Sequence, residues 1–367
     1  MNEKEAMAVL VSAQNISYAQ RAHALERAGS ALNILADPHA AGLDAPGTAA
    51  VRMALGHGQR MLDDLRAQGV SLITQQSEAY PELLRHTARP PHLLFCLGRP
   101  DLDDTLPVAM VGTRRADSYG LRHTRRIARE LAEKGACIVS GLALGVDAMA
   151  HWGALDTKGR TVAVLGGALD QLYPKENRAL MDKILETGGS VISEYPPGVS
   201  PTRFSFVQRN RIVAGMSLGV LVTQAPYKSG AHSTVNYALE EGREVFALPG
   251  DIDRFGSQLP NKLIAEGAHP MSTAEDVLAV LQGGALRHAP RKRREQPQQI
   301  AMHSAAPVRP LDPMEQKIYD QLLAGNLDFD ALSERTGIAG DELGSLLMML
   351  ELDGIIVPLP GLAYRLA

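Results

Sequence analysis

The stretch IVSGLALGVDAMAHWGAL, residues 138–155, joins a Gly141-Leu-Ala-Leu-Gly145 turn to a helical segment bearing Asp147 and His151 one turn apart. Backbone N–H groups at such a strand-to-helix turn can hold an anion. A dinucleotide site needs Gly-x-Gly-x-x-Gly with an acid about 20 residues on, and a P-loop needs its lysine. Neither pattern occurs here. Two readings of Asp147 and His151 stand: a catalytic pair, or an N-capping aspartate hydrogen-bonded to a nearby histidine. The phosphate held by the turn would belong either to a small nucleotide or to a nucleic-acid backbone.

Three other stretches carry similar chemistry. VAMVGTRRADSYG sets Gly112, Thr113 and Arg114 ahead of a helix capped by Asp117 or Ser118, offering N–H groups, a hydroxyl and a guanidinium to an anion. Arg122, Arg125, Arg126 and Arg129 then share one helix face, as a further anion stripe or as an ordinary solvated face. TVAVLGGALDQLYPKENRAL offers Gly166 and Gly167 for close backbone approach, then Tyr173 and Lys175 just before a helix. A lysine there opposes the helix dipole unless an anion shares the site. PPGVSPTRFSFVQRNRIVAG interleaves Arg203, Arg209 and Arg211 with Phe204, Phe206 and Asn210. Aromatic faces between cations suit a single strand, with stacking for bases and charge for the backbone. The alternative is that the phenylalanines are core and the arginines cap the next helix.

These turns need a frame, and the apolar runs supply one. PVAMVG, ACIVSG, TVAVLGG, SVISEY, GVLVTQ and EVFALPG are continuous, not alternating, and helical segments separate them. That pattern predicts a doubly wound, mostly parallel α/β sheet buried on both faces, a Rossmann-like fold whose ligand lies at the carboxyl ends of the strands. VSLIT and HLLFC flank a short helix opening at Pro81 and extend this domain at its N-terminal side, giving bounds of 68–285. Residues 1–67 read as a small helical, SAM-like domain of short alanine-rich elements without a catalytic constellation. Residues 286–310 read as a flexible basic linker, where Arg287, Arg291, Lys292, Arg293, Arg294 and Arg309 face only Glu295. Residues 311–367 predict three short helices and a hairpin, a winged-helix domain.

Composition bounds the class. The 367 residues are 45% apolar with a net charge of −4, enough chain for two or three domains with their own cores. Cys96 and Cys137 lack metal-ligand spacing and read as buried thiols, so no structural zinc is expected. The opening MNEKEAM lacks a basic-then-apolar signal, and no apolar run nears the roughly 20 residues of a membrane span. The expectation is a cytoplasmic protein. Between Glu194 and Glu240 there is no acid, while Arg203, Arg209, Arg211 and Lys228 occur, so an anion is expected there. In the winged helix the would-be recognition helix, 341–353, carries Asp341, Glu342, Glu351 and Asp353 and no base. It would set acids against phosphates, so a protein partner or a second copy is expected instead.

With these motifs in family order, together with YPELLRHTARPPHLLFCLG, ISEYPPG, KSGAHST and VFALPGDID, the chain resembles the DNA-processing protein A family (DprA, also called Smf) over nearly its whole length. The resemblance implies a Rossmann-like domain that binds single-stranded DNA in a basic pocket, forms a homodimer, protects the incoming strand and hands it to the RecA recombinase in natural transformation. It implies no enzymatic activity and no cofactor. Arg114, Lys175, Arg209 and Asn210 carry over as DNA-binding residues, and Phe206 more loosely. The expected site adds Gly112, Thr113, Gly141, Gly145, Arg203, Arg211, Ser229 and Gly230. Thr223-Gln224-Ala225 stands where the family has Val-Glu-Ala, and Ser257-Gln-Leu-Pro-Asn261 where it has Ser-x-Gly-x-Asn, which leaves those loops open. Two rivals remain: a nucleotide-processing, phosphoribohydrolase-like enzyme using Glu194, and a protein-interaction scaffold.

Overall fold

Alternate residues of the central strands face opposite apolar layers, and that arrangement fixes where the ligand-bearing turns emerge. The computed structural model describes residues 1–99, 101, 103–104, 106–285, 311–323, 325–359 and 363–366. The chain divides into two compact units, one of residues 1–201 and 205–283, the other mainly of residues after 283. The expected basic linker, 286–310, lies outside the described residues.

The first unit opens with α1 (Glu3–Ser12), α2 (Tyr18–Ala28), α3 (Ala31–Ala36) and α4 (Ala45–Ala67). Side-chain caps start each of them. Asn2 and Ser17 form reciprocal capping boxes, and Ser30 and Asp44 accept from the first-turn N–H groups. Next come β1 (Ser71–Thr74), α5 (Glu82–Arg85), β2 (Leu93–Gly98), β3 (Pro107–Val111), α6 (Ser118–Glu133), β4 (Cys137–Ser140), α7 (Val146–Leu155) and β5 (Thr161–Val164). A short 3-10 turn over Lys175–Asn177 leads into α8 (Arg178–Glu186), then β6 (Ser190–Ser193), α9 (Arg203–Gly215), β7 (Gly219–Val222), α10 (Ala231–Glu240), β8 (Glu244–Ala247), α11 (Gln258–Ala265), β9 (His269–Pro270) and α12 (Ala274–Ala285).

The sheet order is β1-β2-β6-β5-β4-β3-β7-β8-β9. From β3 to β9 the strands run parallel, while β2 pairs antiparallel with β6 and with β1 at the edge. Every expected run forms a strand, because continuous apolar stretches let both faces of a parallel strand be covered. Val108 and Met110 of β3 pack with Ile127 and Leu131 of α6, whereas Ala109 and Val111 pack with Ile212 of α9 and Val235 of α10. The helices of residues 1–67 join the layer beside β5 and β6, where Val9, Leu10 and Ile34 share a core with Ala163 and Val191. Cys96 and Cys137 are free and buried, and burial pushes the Cys96 thiol up to about 12 and the Cys137 thiol well above its ordinary value.

The chain order reverses direction at β3, with β4 on one side and β7 on the other. Ligands of such sheets sit outside the carboxyl ends near that point. The fold therefore sends the turns after β3, β4, β5 and β7 to a common rim.

The second unit holds α13 (Pro313–Leu323), β10 (Leu327–Asp328), α14 (Phe329–Thr336), α15 (Gly340–Leu352), β11 (Ile356–Leu359) and β12 (Ala363–Leu366). Ile318, Leu322, Leu332, Leu343, Leu347 and Leu350 fill its core. It is a winged helix: three helices against a three-stranded sheet of order β10-β12-β11. The α15 acids Glu342 and Glu351 face solvent.

Candidate nucleic-acid interface

The turn after β3 is fixed from below by Gln224, two residues past the end of β7. The Thr113 N–H donates to the Gln224 carbonyl at 2.7 Å, and the Asp117 N–H donates to the Gln224 side-chain carbonyl at 2.9 Å. Gln224 is 1% exposed, so both bonds form away from water and hold the turn at its two ends. Asp117 caps α6, accepting from Tyr119 N and Gly120 N at 2.9 and 3.0 Å. Arg114 projects into solvent from the stapled turn.

The turn after β4 lies against it. Val146 N donates to the Thr113 carbonyl at 3.2 Å, and Gly145 approaches so closely that a Cβ there would stand 2.8 Å from the Arg114 carbonyl carbon. Gly145 has φ 77°, which favours glycine. Gly112 needs its missing side chain as well, since a Cβ would meet Val146 Cγ2 at 2.6 Å. Glycines at these places let two strand-end turns meet.

Arg209, although a sequence-expected DNA contact, is 4% exposed. Its Nη1 donates to the carbonyl of Gly141 at 2.8 Å and also to that of Val164, tying the ends of β4 and β5 together. Burial lowers its pKa to about 10, and Asp147 opposes that shift. Asp147, itself buried, accepts from Gly141 N at 3.1 Å. Burial raises its pKa against the opposing Arg209 charge. The arginine acts on the turn from beneath.

The Asp147–His151 pairing expected from their spacing takes another form. Asp147 grips the turn, while His151 Nδ1 bonds Thr161 Oγ1 at 2.7 Å in a fully buried position, its pKa lowered by burial to about 3. Each side chain has its own partner, and neither reaches the rim.

On the rim, Arg114, Phe206 and Tyr173 come together. The Arg114 guanidinium carbon stands 5.0 Å from the Phe206 ring centroid, and Tyr173 and Phe206 rings lie 5.7 Å apart at 43°. Three elements thus converge: the turn after β3, the loop after β5, and α9. Lys175 is exposed on the 3-10 turn and has no ion pair among the described residues. That turn is anchored by Asn177, whose Nδ2 donates to the Leu142 carbonyl at 2.9 Å. Arg203 is exposed at the start of α9.

The other expected residues form separate groups. Asn210 Nδ2 donates to Ser233 Oγ at 2.8 Å and to the Gly230 carbonyl at 3.3 Å, joining α9 to the Ser229–Gly230 turn. Arg211 turns inward, donating to the Arg89 carbonyl at 2.8 Å and ion-pairing with Glu194. Glu194, the acid an enzyme would use, is thereby engaged. The stripe on α6 is largely an ion-paired face: Arg125 with Asp156, Arg126 with Glu130, Arg129 with Glu133. The Ser257–Asn261 segment closes on the β8 loop through Asn261, which exchanges two hydrogen bonds with Gly250, while Leu259 and Pro260 are buried.

Sequence reading passed over Gln224 as a support and Asn177 as an anchor. The signal for Gln224 was present as an uncharged amide at a strand end, where a polar side chain is buried only if hydrogen-bonded. Among the described residues, no group of three or more His, Cys, Asp or Glu gathers as for a metal, and no helix is long and apolar enough to cross a membrane.

A doubly wound sheet with a cation and aromatic rings at its carboxyl rim, followed by a winged helix, defines a Rossmann-like α/β class of protein. The family described as DNA recombination-mediator protein A matches residues 71–305, and the DprA winged helix domain matches residues 302–361. The chain belongs to the DNA recombination-mediator protein A family. It is 38% identical to Protein Smf of Escherichia coli (strain K12) over 297 residues, 80% of this chain and 77% of that protein. Against the DNA processing protein DprA of Bacillus subtilis (strain 168) it is 40% identical over 227 residues, 60% of this chain and 75% of that one. The solved DNA processing protein A of Streptococcus pneumoniae superposes with a TM-score of 0.65 at 34% identity, covering 76% of this chain and 98% of the other. That of Helicobacter pylori, studied for its single-stranded DNA binding mode, gives 0.52 at 34% identity, covering 58% and 96%.

Proposed function

We propose that the chain binds single-stranded DNA along the carboxyl rim of its parallel sheet, with no bond made or broken. Arg114, Lys175 and Arg203 neutralise phosphates, and the Gly112–Arg114 and Gly141–Gly145 turns line the strand's path. Arg209 contributes from beneath by fixing the turns. Asn210, Ser229 and Gly230 extend the path toward α10, and Arg211 supports α9 through Glu194. The observation that carries this reading is the Arg114–Phe206–Tyr173 cluster, which puts a cation and aromatic rings in contact at the reversal of chain order. Charge for the backbone beside π-faces for bases is what unpaired nucleic acid requires.

The finer role follows the family resemblance: protection of incoming DNA in the cytoplasm and delivery of the strand to the RecA recombinase by a homodimer. The Helicobacter pylori relative's single-stranded DNA binding supports the ligand. Fluorescence polarisation with single- and double-stranded oligonucleotides across a salt series tests the reading. Binding of the single strand with a steep salt dependence is expected. Equal or absent binding at physiological salt would refute it. The nucleotide-processing alternative needs a free acid beside the sugar, and the inward Glu194–Arg211 pair speaks against it.

A further inference from the structure

Phe206 is the aromatic residue that sequence and family point to, yet its ring is flanked on the protein side and on the rim. Gly166 lies so close that a Cβ there would stand 2.6 Å from Phe206 Cδ1, and the Arg114 guanidinium sits over the ring at 5.0 Å. The ring is only partly exposed. Tyr173 differs. The residue is 51% exposed, its ring leans on Phe206 at 5.7 Å, and its hydroxyl has no partner among the described residues. Two residues on, Lys175 presents an exposed ammonium. An open aromatic face with a fixed tilt and a neighbouring cation matches the demands of an unpaired base joined to its phosphate.

We infer that Tyr173 is the base-stacking platform of the site, with Phe206 as its buttress and as the seat of the Arg114 guanidinium. This deepens the single-strand reading above and rests on it. Stacking is sequence-tolerant because every base has a π-face, and it releases no counterion. The platform should therefore add affinity without changing the salt slope.

The test compares an oligothymidylate with an abasic strand of the same length on the full-length protein and on Tyr173→Ala and Tyr173→Phe. Loss of one stacked base corresponds to roughly a tenfold weaker dissociation constant. Tyr173→Ala should lose that factor on oligothymidylate, lose little on the abasic strand, and keep the wild-type salt slope; Tyr173→Phe should bind as wild type. The inference is overturned if Tyr173→Ala binds oligothymidylate as tightly as wild type, or weakens equally on both strands. Wild-type protein that binds neither strand would instead remove the single-strand reading itself, and this inference with it.

Discussion

The Arg209 guanidinium donates to the main-chain carbonyl of Gly141 at 2.8 Å from a position 4% exposed. A second donation, to Val164, spans the ends of neighbouring strands β4 and β5. Replacing the side chain leaves buried carbonyls without donors, each costing on the order of 1–3 kcal/mol. Arg209→Ala is expected to lower unfolding free energy by about 2–6 kcal/mol in urea titration. Arg209→Lys should recover only part, since lysine lacks the Nε–H that donates to Asn210 Oδ1 at 3.2 Å and its compact, strongly hydrated ammonium is costlier to bury. A loss under about 0.5 kcal/mol, the range of ordinary surface substitutions, would contradict the bracing role.

Arg114 and Lys175 are the rim cations, and their effect should be electrostatic. Arg114→Ala and Lys175→Ala together should weaken single-strand binding and flatten the plot of log K against log salt by roughly 0.7 for each phosphate that is no longer neutralised. Polarisation titrations at several salt concentrations measure this. A slope unchanged in the double variant would rule out phosphate neutralisation by this pair.

Gln224 bears on the same arginine indirectly. Gln224→Ala removes the acceptor for Asp117 N–H while keeping the main-chain bond to Thr113. The expected result is about 1–3 kcal/mol of lost stability and weaker oligonucleotide binding at an unchanged salt slope. Wild-type affinity in this variant would mean that the turn keeps its place without the staple.

Acid should destabilise the first unit through buried His151 and half-buried His92. Burial lowers His151 to about 3 and His92 to about 4, both from 6.5. As pH falls below about 6.5, the unfolded chain takes up protons that the folded chain refuses, so stability is complete above that pH and declines toward the folded values. Each histidine contributes up to about 1.4 kcal/mol per pH unit within that window. Urea unfolding of His151→Asn should show a shallower decline between pH about 6.5 and about 4 than wild type. An identical decline would exclude His151 as a source.

No free base is expected when the protein is incubated with nucleoside monophosphates and the products are resolved by chromatography. Release of base that stops in Glu194→Gln would instead support the hydrolase alternative.

The sheet was legible because its strands are buried on both faces: PVAMVG and GVLVTQ can be little else, and β3 and β7 fall on them. The antiparallel addition of β1 and β2 beyond β6 was less so, since pairing partners depend on tertiary packing that no local pattern encodes. Arg114 and Lys175 were readable from turn chemistry and lie where strand-end loops place them. Arg209 and Arg211 were readable as cations, and not as one buried and one turned inward. A helix presents successive arginines to different sides, and only the packing of α9 decides which of them meet solvent. Asp147 and His151 were misjudged for a related reason: spacing brings two groups near, but burial assigned each a different partner.

The Asn177–Leu142 bond has a mechanical implication. By it, the segment that carries Lys175 hangs from the glycine turn of β4, so displacement of one is expected to carry to the other. Losses at Lys175 and at that turn should consequently fail to add, and a thermodynamic cycle pairing Lys175→Ala with Asn177→Ala should return a nonzero interaction energy.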